Sequence, residues 1–221
     1  MDLQILISFV AATAVLAFSP GPDNIFVLIQ SAKYGKKTGM AVVVGLMTGC
    51  LIHTSLVAFG LSALIKSNES LYFILKLFGA GYMLFLATRV YKSDVNFNKN
   101  HKKVKSDRFY ELFKQGFIMN VLNPKVSVFF LAFFPAFLFS ETMDLYKQFY
   151  ALGFIFILTS FSIFSCFVFL SSYFSKLFFK SPQRQLLLKR LQMVFFVGIA
   201  VVILIGWLFT CIFPIRPVAL L

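Results

Sequence analysis

Residues 18–23 read FSPGPD and residues 120–125 read NVLNPK, and each stretch interrupts a long apolar run. Proline lacks a backbone donor and clashes with the preceding helical turn, so we expect a broken or kinked helix at both places. The first residue of a restarted helix is a favourable position for proline, which suits Pro22 and Pro124. The two stretches therefore predict half-helices that begin inside apolar segments.

The apolar runs indicate a membrane protein. The chain has 221 residues, of which 59% are hydrophobic and 13% charged, whereas a soluble domain carries about 25% charged residues. A helix needs about 20 apolar residues to cross the hydrocarbon core, and continuous rather than alternating runs favour helices over a barrel. Six segments reach that length: 3–29, 39–65, 71–91, 112–139, 146–172 and 190–212.

The net charge of +13 could suggest a nucleic-acid binder, but its distribution argues against one. Lys and Arg are concentrated in the segments 30–38, 92–110 and 173–189, whereas 66–70 and 140–147 contain few. Cytoplasmic loops carry the excess of positive charge, so the rich segments are expected in the cytoplasm and both termini outside. We expect lipid contacts and no nucleic-acid partner.

The basic linker 92–110 divides the chain into a first three-helix repeat, 1–91, and a second, 111–221. Three spans per half give the halves opposite orientations, as in the inverted repeats of many secondary transporters. We therefore predict an all-α polytopic membrane protein with six transmembrane helices in two inverted three-helix repeats. The first and fourth helices are broken, and residues 1–221 form one membrane domain. Asp2 replaces the positive start of a signal peptide, so the first span is expected to remain.

A charged residue follows each break: Asp23 after Pro22, and Lys125 after Pro124. A charge deep in a membrane costs about 2.5–3.5 kcal/mol on insertion scales, so it usually has a function. Asp23 can accept hydrogen bonds from a substrate ammonium or carry a coupling proton. Lys125 can hold a carboxylate or neutralise Asp23 in an empty site, and a restarted helix also suits an anion. Snorkelling of both side chains to the interface is the alternative.

Amide side chains add neutral donors and acceptors near both charges. Together the two signs of charge and these amides fit a zwitterion such as an amino acid. Ser19 and Asn123 are predicted caps of the restarted helices. The predicted substrate-binding residues are Asp23, Asn24, Asn120, Asn123 and Lys125, and the predicted helix-break residues are Ser19, Pro20, Gly21, Pro22 and Pro124.

Other polar residues within the spans have two interpretations each. His53 is the last of four residues that are spaced four apart on one helix face, a pattern called the ladder here. The other three have small side chains, which let another helix approach. His53 either relays protons or is a neutral hydrogen-bonded histidine. Lys76 is either an accessory site residue or snorkels outward. The fifth span has hydroxyls that either line the transport path or bond their own backbone: Thr159, Ser160, Ser162 and Ser165.

The chain resembles the LysE/RhtB family of amino-acid exporters over about residues 15–210. The resemblance rests on FSPGPD, on the stretch from Gly39 to Gly49, on LKLFGAGY at 75–82, and on NVLNPK continuing into FFLAFFP at 129–135. It implies export of amino acids or derivatives across the bacterial inner membrane, coupled to proton entry. Similarity to the RhtB-like branch implies neutral substrates such as homoserine, threonine and leucine.

Other classes of protein fit less well. An intramembrane enzyme needs a nucleophile with a base, or clustered metal ligands, and the spans show no such pattern, so we predict no enzymatic activity, cofactor or metal site. A metal-ion or other small-cation exporter is the alternative function, because distant relatives of the family handle cations. It would need more ligating side chains than Asp23 and His53 supply. The sequence leaves a homodimer open.

Overall fold

The computed structural model describes residues 3–19, 21–67, 69–92, 108–140, 142–171, 173 and 182–212. Pro20, most of the predicted linker and the side chain of Lys76 lie outside the described part of the chain. Every regular element within it is helical, which confirms the predicted all-α class. The α-helices are α1 Leu3–Phe18, α2 Pro22–Tyr34, α3 Lys36–Leu56, α4 Ser62–Ser67, α5 Glu69–Lys92, α6 Phe109–Val121, α7 Pro124–Val128, α8 Leu145–Phe169 and α9 Pro182–Ile212.

The helices correspond to the six predicted apolar segments. Three are long and apolar enough to cross a membrane: Lys36–Leu64, Phe73–Lys92 and Leu145–Phe169. Two more spans are bent pairs, α1 with α2 at 63° and α6 with Pro124–Phe137 at 47°. The last helix, α9, has 31 residues and so a length of about 46 Å. The chain is therefore a polytopic helical membrane protein, while the inverted relation of its halves stays a prediction.

The two breaks lie at the predicted prolines but are capped differently. Asn123 is the cap of α7, where its Oδ1 accepts a hydrogen bond from Lys125 N at 3.0 Å, as predicted. The prediction that Ser19 caps α2 is wrong. The cap position belongs to Gly21, which is extended and offers no side chain, whereas Ser19 N donates to Val15 O at 2.9 Å and so continues the last turn of α1.

π-helical turns interrupt two of the spans. One, Val57–Leu61, joins α3 to α4, and the other, Phe129–Phe133, follows α7 and leads into the 3-10 turn Phe134–Phe137. The two π-helical turns pack against each other. Such turns are rare and occur frequently at functional sites. Each half of the chain therefore has one irregular helical segment, and the two segments are in contact.

Two separate hydrophobic clusters form the core of the described part of the chain. The aromatic cluster includes stacked Phe130 and Phe134, with ring centroids 4.1 Å apart, and Phe156, whose ring meets Phe130 edge-on at 4.8 Å. Its buried phenylalanines include Phe9, Phe129, Phe130, Phe134, Phe149, Phe156 and Phe196. The second cluster is mainly aliphatic and is called the aliphatic cluster here, although it also contains phenylalanines. It lies around α2, α3 and α8 and includes Phe26, Val27, Leu28, Val42, Val43, Leu46, Leu112, Phe164, Phe167 and Val168.

Close contact between α3 and α6 joins the two halves. A Cβ on Gly45 would collide with the carbonyl oxygen of Phe113, and a Cβ on Gly116 with the carbonyl oxygen of Val42. The backbones therefore approach as in small-residue interfaces of membrane helices. His53, the last residue of the predicted ladder, is buried on the same helix, so the ladder does face protein.

We expect Gly116→Val to lower the stability of the protein by about 1–3 kcal/mol, the usual cost of overpacking a filled interface. The added atoms meet backbone rather than a mobile side chain, so α3 and α6 must separate. The measurement is thermal unfolding in detergent. Gly81→Val is the matched control, because a Cβ there meets nothing within 4 Å. Equal melting temperatures for the two variants would contradict this packing.

Candidate functional site

Asp23 is a buried carboxylate at the first break. It is the second residue of α2 and only 6% exposed. Its Oδ2 accepts a short hydrogen bond from Asn123 Nδ2, whereas its Oδ1 is buried and has no hydrogen-bond partner among the described residues. An unpaired buried acceptor costs about 1–3 kcal/mol, and more when it is charged. One face of this carboxylate is therefore free for a ligand.

Lys125 caps the C-terminal end of α1. This residue is the second of α7, and its Nζ donates to Leu16 O and to Ser19 O, both at 2.9 Å. A cation at a helix C-terminus is favoured because the last carbonyls have no helical donors and the dipole is negative there. Asn24 acts in the same way, since its Nδ2 donates a short hydrogen bond to Ala17 O.

Residues of the second break thus supply hydrogen bonds to polar groups at the first break. Lys125, from the second break, binds the end of the helix before the first break, while Asn123, the cap at the second break, donates to Asp23 at the first. Carbonyl contacts hold the Lys125 ammonium at the end of α1 rather than on the carboxylate of Asp23. The ammonium lies close to the extended backbone of Gly21, where a Cβ would be 3.8 Å from Nζ.

Asn120 is held by two residues of α3. Its side-chain amide exchanges long contacts with the thiol of Cys50, at 3.4 Å and 3.7 Å. Its backbone carbonyl loses the usual donor four residues on, because that residue is Pro124. The carbonyl instead accepts from Asn123 N at 2.9 Å and lies 3.2 Å from His53 Nε2. Since a carbonyl only accepts, His53 donates here and supports the break.

The site contains a partly open cavity of about 30 Å³, which has room for about two water molecules. Residues of the aromatic cluster, such as Phe156, form part of its wall, and residues of the aliphatic cluster, such as Phe164, form another part. The polar layer therefore lies between the two apolar clusters. The lining residues are Leu16, Ala17, Asp23, Asn24, Leu46, Met47, Cys50, Asn120, Lys125, Val126, Phe156, Ser160 and Phe164.

The structure brings most of the predicted binding residues together. The cavity lining includes four of the five. The fifth, Asn123, lies behind the lining and is hydrogen-bonded to Asp23. His53 lies one shell away, against the carbonyl of Asn120 and the ring of Phe130. The four predicted residues in the lining are Asp23, Asn24, Asn120 and Lys125.

The hydroxyls of the fifth span have different environments. Ser160 lines the cavity, as one of the two interpretations predicted. Ser162 follows the other interpretation and bonds its own backbone, with Oγ donating to Leu158 O at 2.8 Å. Thr159 and Ser165 are not part of the cavity lining.

Several lining residues were not selected from the sequence, namely Leu46, Met47, Cys50, Phe156 and Phe164. Phe156, Ser160 and Phe164 recur every four residues and so share one face of α8. That spacing is a signal for a common wall, although it does not indicate what the wall faces.

The fold and the site together define a class, the polytopic membrane transport proteins. Broken helices that meet in a polar layer inside an apolar bundle are the arrangement of secondary transporters. The chain matches the LysE type translocator family over residues 14–206 and belongs to that family. It is therefore a membrane translocator that acts on a small-molecule substrate.

Two relatives are also membrane proteins. An uncharacterized membrane protein of Vibrio cholerae is 25% identical over 153 residues, which cover 69% of this chain and 74% of the relative. The uncharacterized membrane protein YrhP of Bacillus subtilis is 28% identical over 141 residues, 60% of this chain and 67% of the relative. No solved structure shows significant similarity to the chain.

We expect Lys125→Met to lower the stability of the protein by about 1–3 kcal/mol, because it leaves the carbonyl of Ser19 buried without its donor. Methionine keeps much of the aliphatic stem, so packing changes little. Thermal unfolding in detergent measures the effect. Lys114→Met is the control, since Lys114 is exposed on α6. An unchanged melting temperature for Lys125→Met would contradict the capping role.

Proposed function

We propose that this translocator is a secondary transporter that exports amino acids or their derivatives from the cytoplasm. The observation that carries the proposal is that one cavity is lined by Asp23, with a carboxylate oxygen that bonds no described residue, and by Lys125 with its ammonium. The first can bind a substrate ammonium and the second a substrate carboxylate. Both charges lie beside helix breaks, where the backbone itself offers further polar groups.

The hydrogen-bonding capacity of the cavity fits a zwitterion. An ammonium group has three donors, and Lys125 Nζ uses two of them on Leu16 O and Ser19 O. The third donor and the uncapped start of α2 are available to a carboxylate. Apart from Asp23 and Lys125, the residues that line the cavity are uncharged. The substrate side chain is therefore expected to be neutral, like that of homoserine, threonine or leucine.

The proposed mechanism is alternating access, and the position of the site between two apolar clusters supports it. In our proposal the two halves rock about the polar layer, so that the aromatic cluster and the aliphatic cluster open in turn. The same proposal has the protein in the bacterial inner membrane, with the basic segments in the cytoplasm and both termini outside. A homodimer is compatible with this mechanism, which needs only one chain per site.

Proton entry is the proposed driving force, and Asp23 is the proposed carrier. A carboxylate that accepts from Asn123 on one oxygen and leaves the other free can hold either a proton or a substrate ammonium. Exchange of these two on one oxygen would couple the fluxes. His53 is a second candidate proton site, while a role for Lys76 stays a prediction.

The deciding measurement is counterflow of labelled amino acids in proteoliposomes that contain the full chain, with a panel of metal ions in parallel. We expect exchange of neutral amino acids. Within the described residues no three His, Cys, Asp or Glu side chains cluster as metal ligands, but a metal-ion or small-cation exporter is the alternative that this panel tests. Metal flux without amino-acid exchange would overturn the proposal.

We expect Asp23→Asn to reduce transport driven by a proton gradient at least about tenfold, the effect of losing one charged hydrogen bond. If this variant also loses counterflow, Asp23 binds the substrate. If it retains counterflow, Asp23 carries only the proton. Glu111→Gln is the control, because Glu111 is exposed beside Arg108. Undiminished gradient-driven transport in Asp23→Asn would remove Asp23 from the mechanism.

We expect His53→Gln to retain gradient-driven transport within about threefold, because a glutamine amide can still donate to Asn120 O. His53→Leu removes that donor and is expected to lower stability by about 1 kcal/mol. Transport assays and thermal unfolding of both variants check this. If both variants lost gradient-driven transport and kept counterflow, His53 would be a proton relay instead.

A further inference from the structure

One wall of the cavity belongs to α8. Phe156, Ser160 and Phe164 lie one turn apart and all line the cavity. Ser160 is only 2% exposed, so its hydroxyl lies between two aromatic residues in a wall that is otherwise apolar. Gly153, two turns before Ser160 on the same helix, packs α8 tightly on Thr54 of α3, because a Cβ there would collide with the threonine side chain.

The hydroxyl of Ser160 is uncommitted. A serine or threonine inside a helix often bonds the carbonyl four residues back, as Ser162 does with Leu158 O at 2.8 Å and Thr54 with Cys50 O at 2.9 Å. Ser160 makes no such bond within the part of the chain that the structure describes. A hydroxyl can donate one hydrogen bond and accept two, so this group is available to whatever fills the cavity.

The other polar side chains of the lining already have partners or suit the ends of a zwitterion. Asn24 is bonded to a backbone carbonyl of α1, and Asn120 is held by a thiol of α3. In the proposed function, Asp23 and Lys125 take the ammonium and the carboxylate. Ser160 is therefore the neutral lining group whose hydroxyl is wholly uncommitted among the described residues, and it is the candidate partner for the side chain of the substrate.

We propose that Ser160 determines side-chain specificity, with its hydroxyl hydrogen-bonded to a polar group on the substrate side chain. Phe156 and Phe164 enclose the aliphatic part of that side chain. This role rests on the proposed function and adds to it a residue that recognises the side chain. A site with a hydrogen-bonding group for the side chain discriminates against an analogue of the same shape that lacks the partner.

The test compares amino acids of equal shape in proteoliposomes: threonine against valine, and homoserine against norvaline. The measured quantity is the ratio of counterflow rates within each pair, which does not depend on the amount of active protein. We expect Ser160→Ala to lower the hydroxyl-to-methyl ratio about two- to tenfold, the range for one neutral hydrogen bond. Ser160→Thr keeps a hydroxyl and is expected to keep the wild-type preference.

Ser162→Ala is the matched control, on the same helix but with its hydroxyl bonded to backbone. An unchanged ratio in Ser160→Ala, or an equal fall in Ser162→Ala, would overturn the inference. If Ser160→Ala does not insert, Ser160→Cys replaces it, because a thiol is a weaker hydrogen-bonding group, and a wild-type ratio there also overturns the inference. Wild-type protein that exchanges leucine but none of the four also overturns the inference, whereas wild-type protein that exchanges no amino acid at all refutes the proposed function instead.

Discussion

The carbonyl end of α1 is the constraint on which the rest of the structure depends. A helix that stops inside a membrane leaves carbonyls that neither water nor lipid can satisfy. Here Lys125 and Asn24 supply the missing donors to Leu16 O, Ser19 O and Ala17 O. The lysine comes from the other half of the chain, so two of the hydrogen bonds at the first break depend on contact with the second half.

The same requirement explains the tight helix contact and the position of the cavity. For Lys125 to reach α1, the start of α7 must lie beside the first break, and α6 must approach α3 closely. Gly45 and Gly116 allow that approach because their backbones touch without side chains between them. The aromatic and aliphatic clusters then close over the polar layer from either side. Small residues, buried charges and apolar clusters are therefore parts of one arrangement.

Local signals in the sequence were sufficient for the helices, the breaks and most residues of the site, but not for the contacts between those residues. Proline chemistry and hydrophobic length predicted the breaks and the spans, and Asn123 could be recognised as a cap because a cap involves neighbouring residues. The Ser19 prediction failed because the chain runs extended through Gly21 before the next helix begins. The contacts of Lys125 with Leu16 and of Asn123 with Asp23 join residues 109 and 100 positions apart, and one sequence carries no local signal for such pairs.

The contacts between the two breaks also bear on how a site of this kind can open. Each charged group keeps part of its bonding capacity while it holds the fold, since Asp23 Oδ1 has no partner among the described residues and Lys125 uses two of its three donors. A substrate that binds the remaining groups therefore need not break the contacts that satisfy the backbone. Movement can instead occur where the helices are irregular, at the π-helical turns Val57–Leu61 and Phe129–Phe133. These turns belong to different halves and pack together, so a rearrangement of one alters the packing of the other.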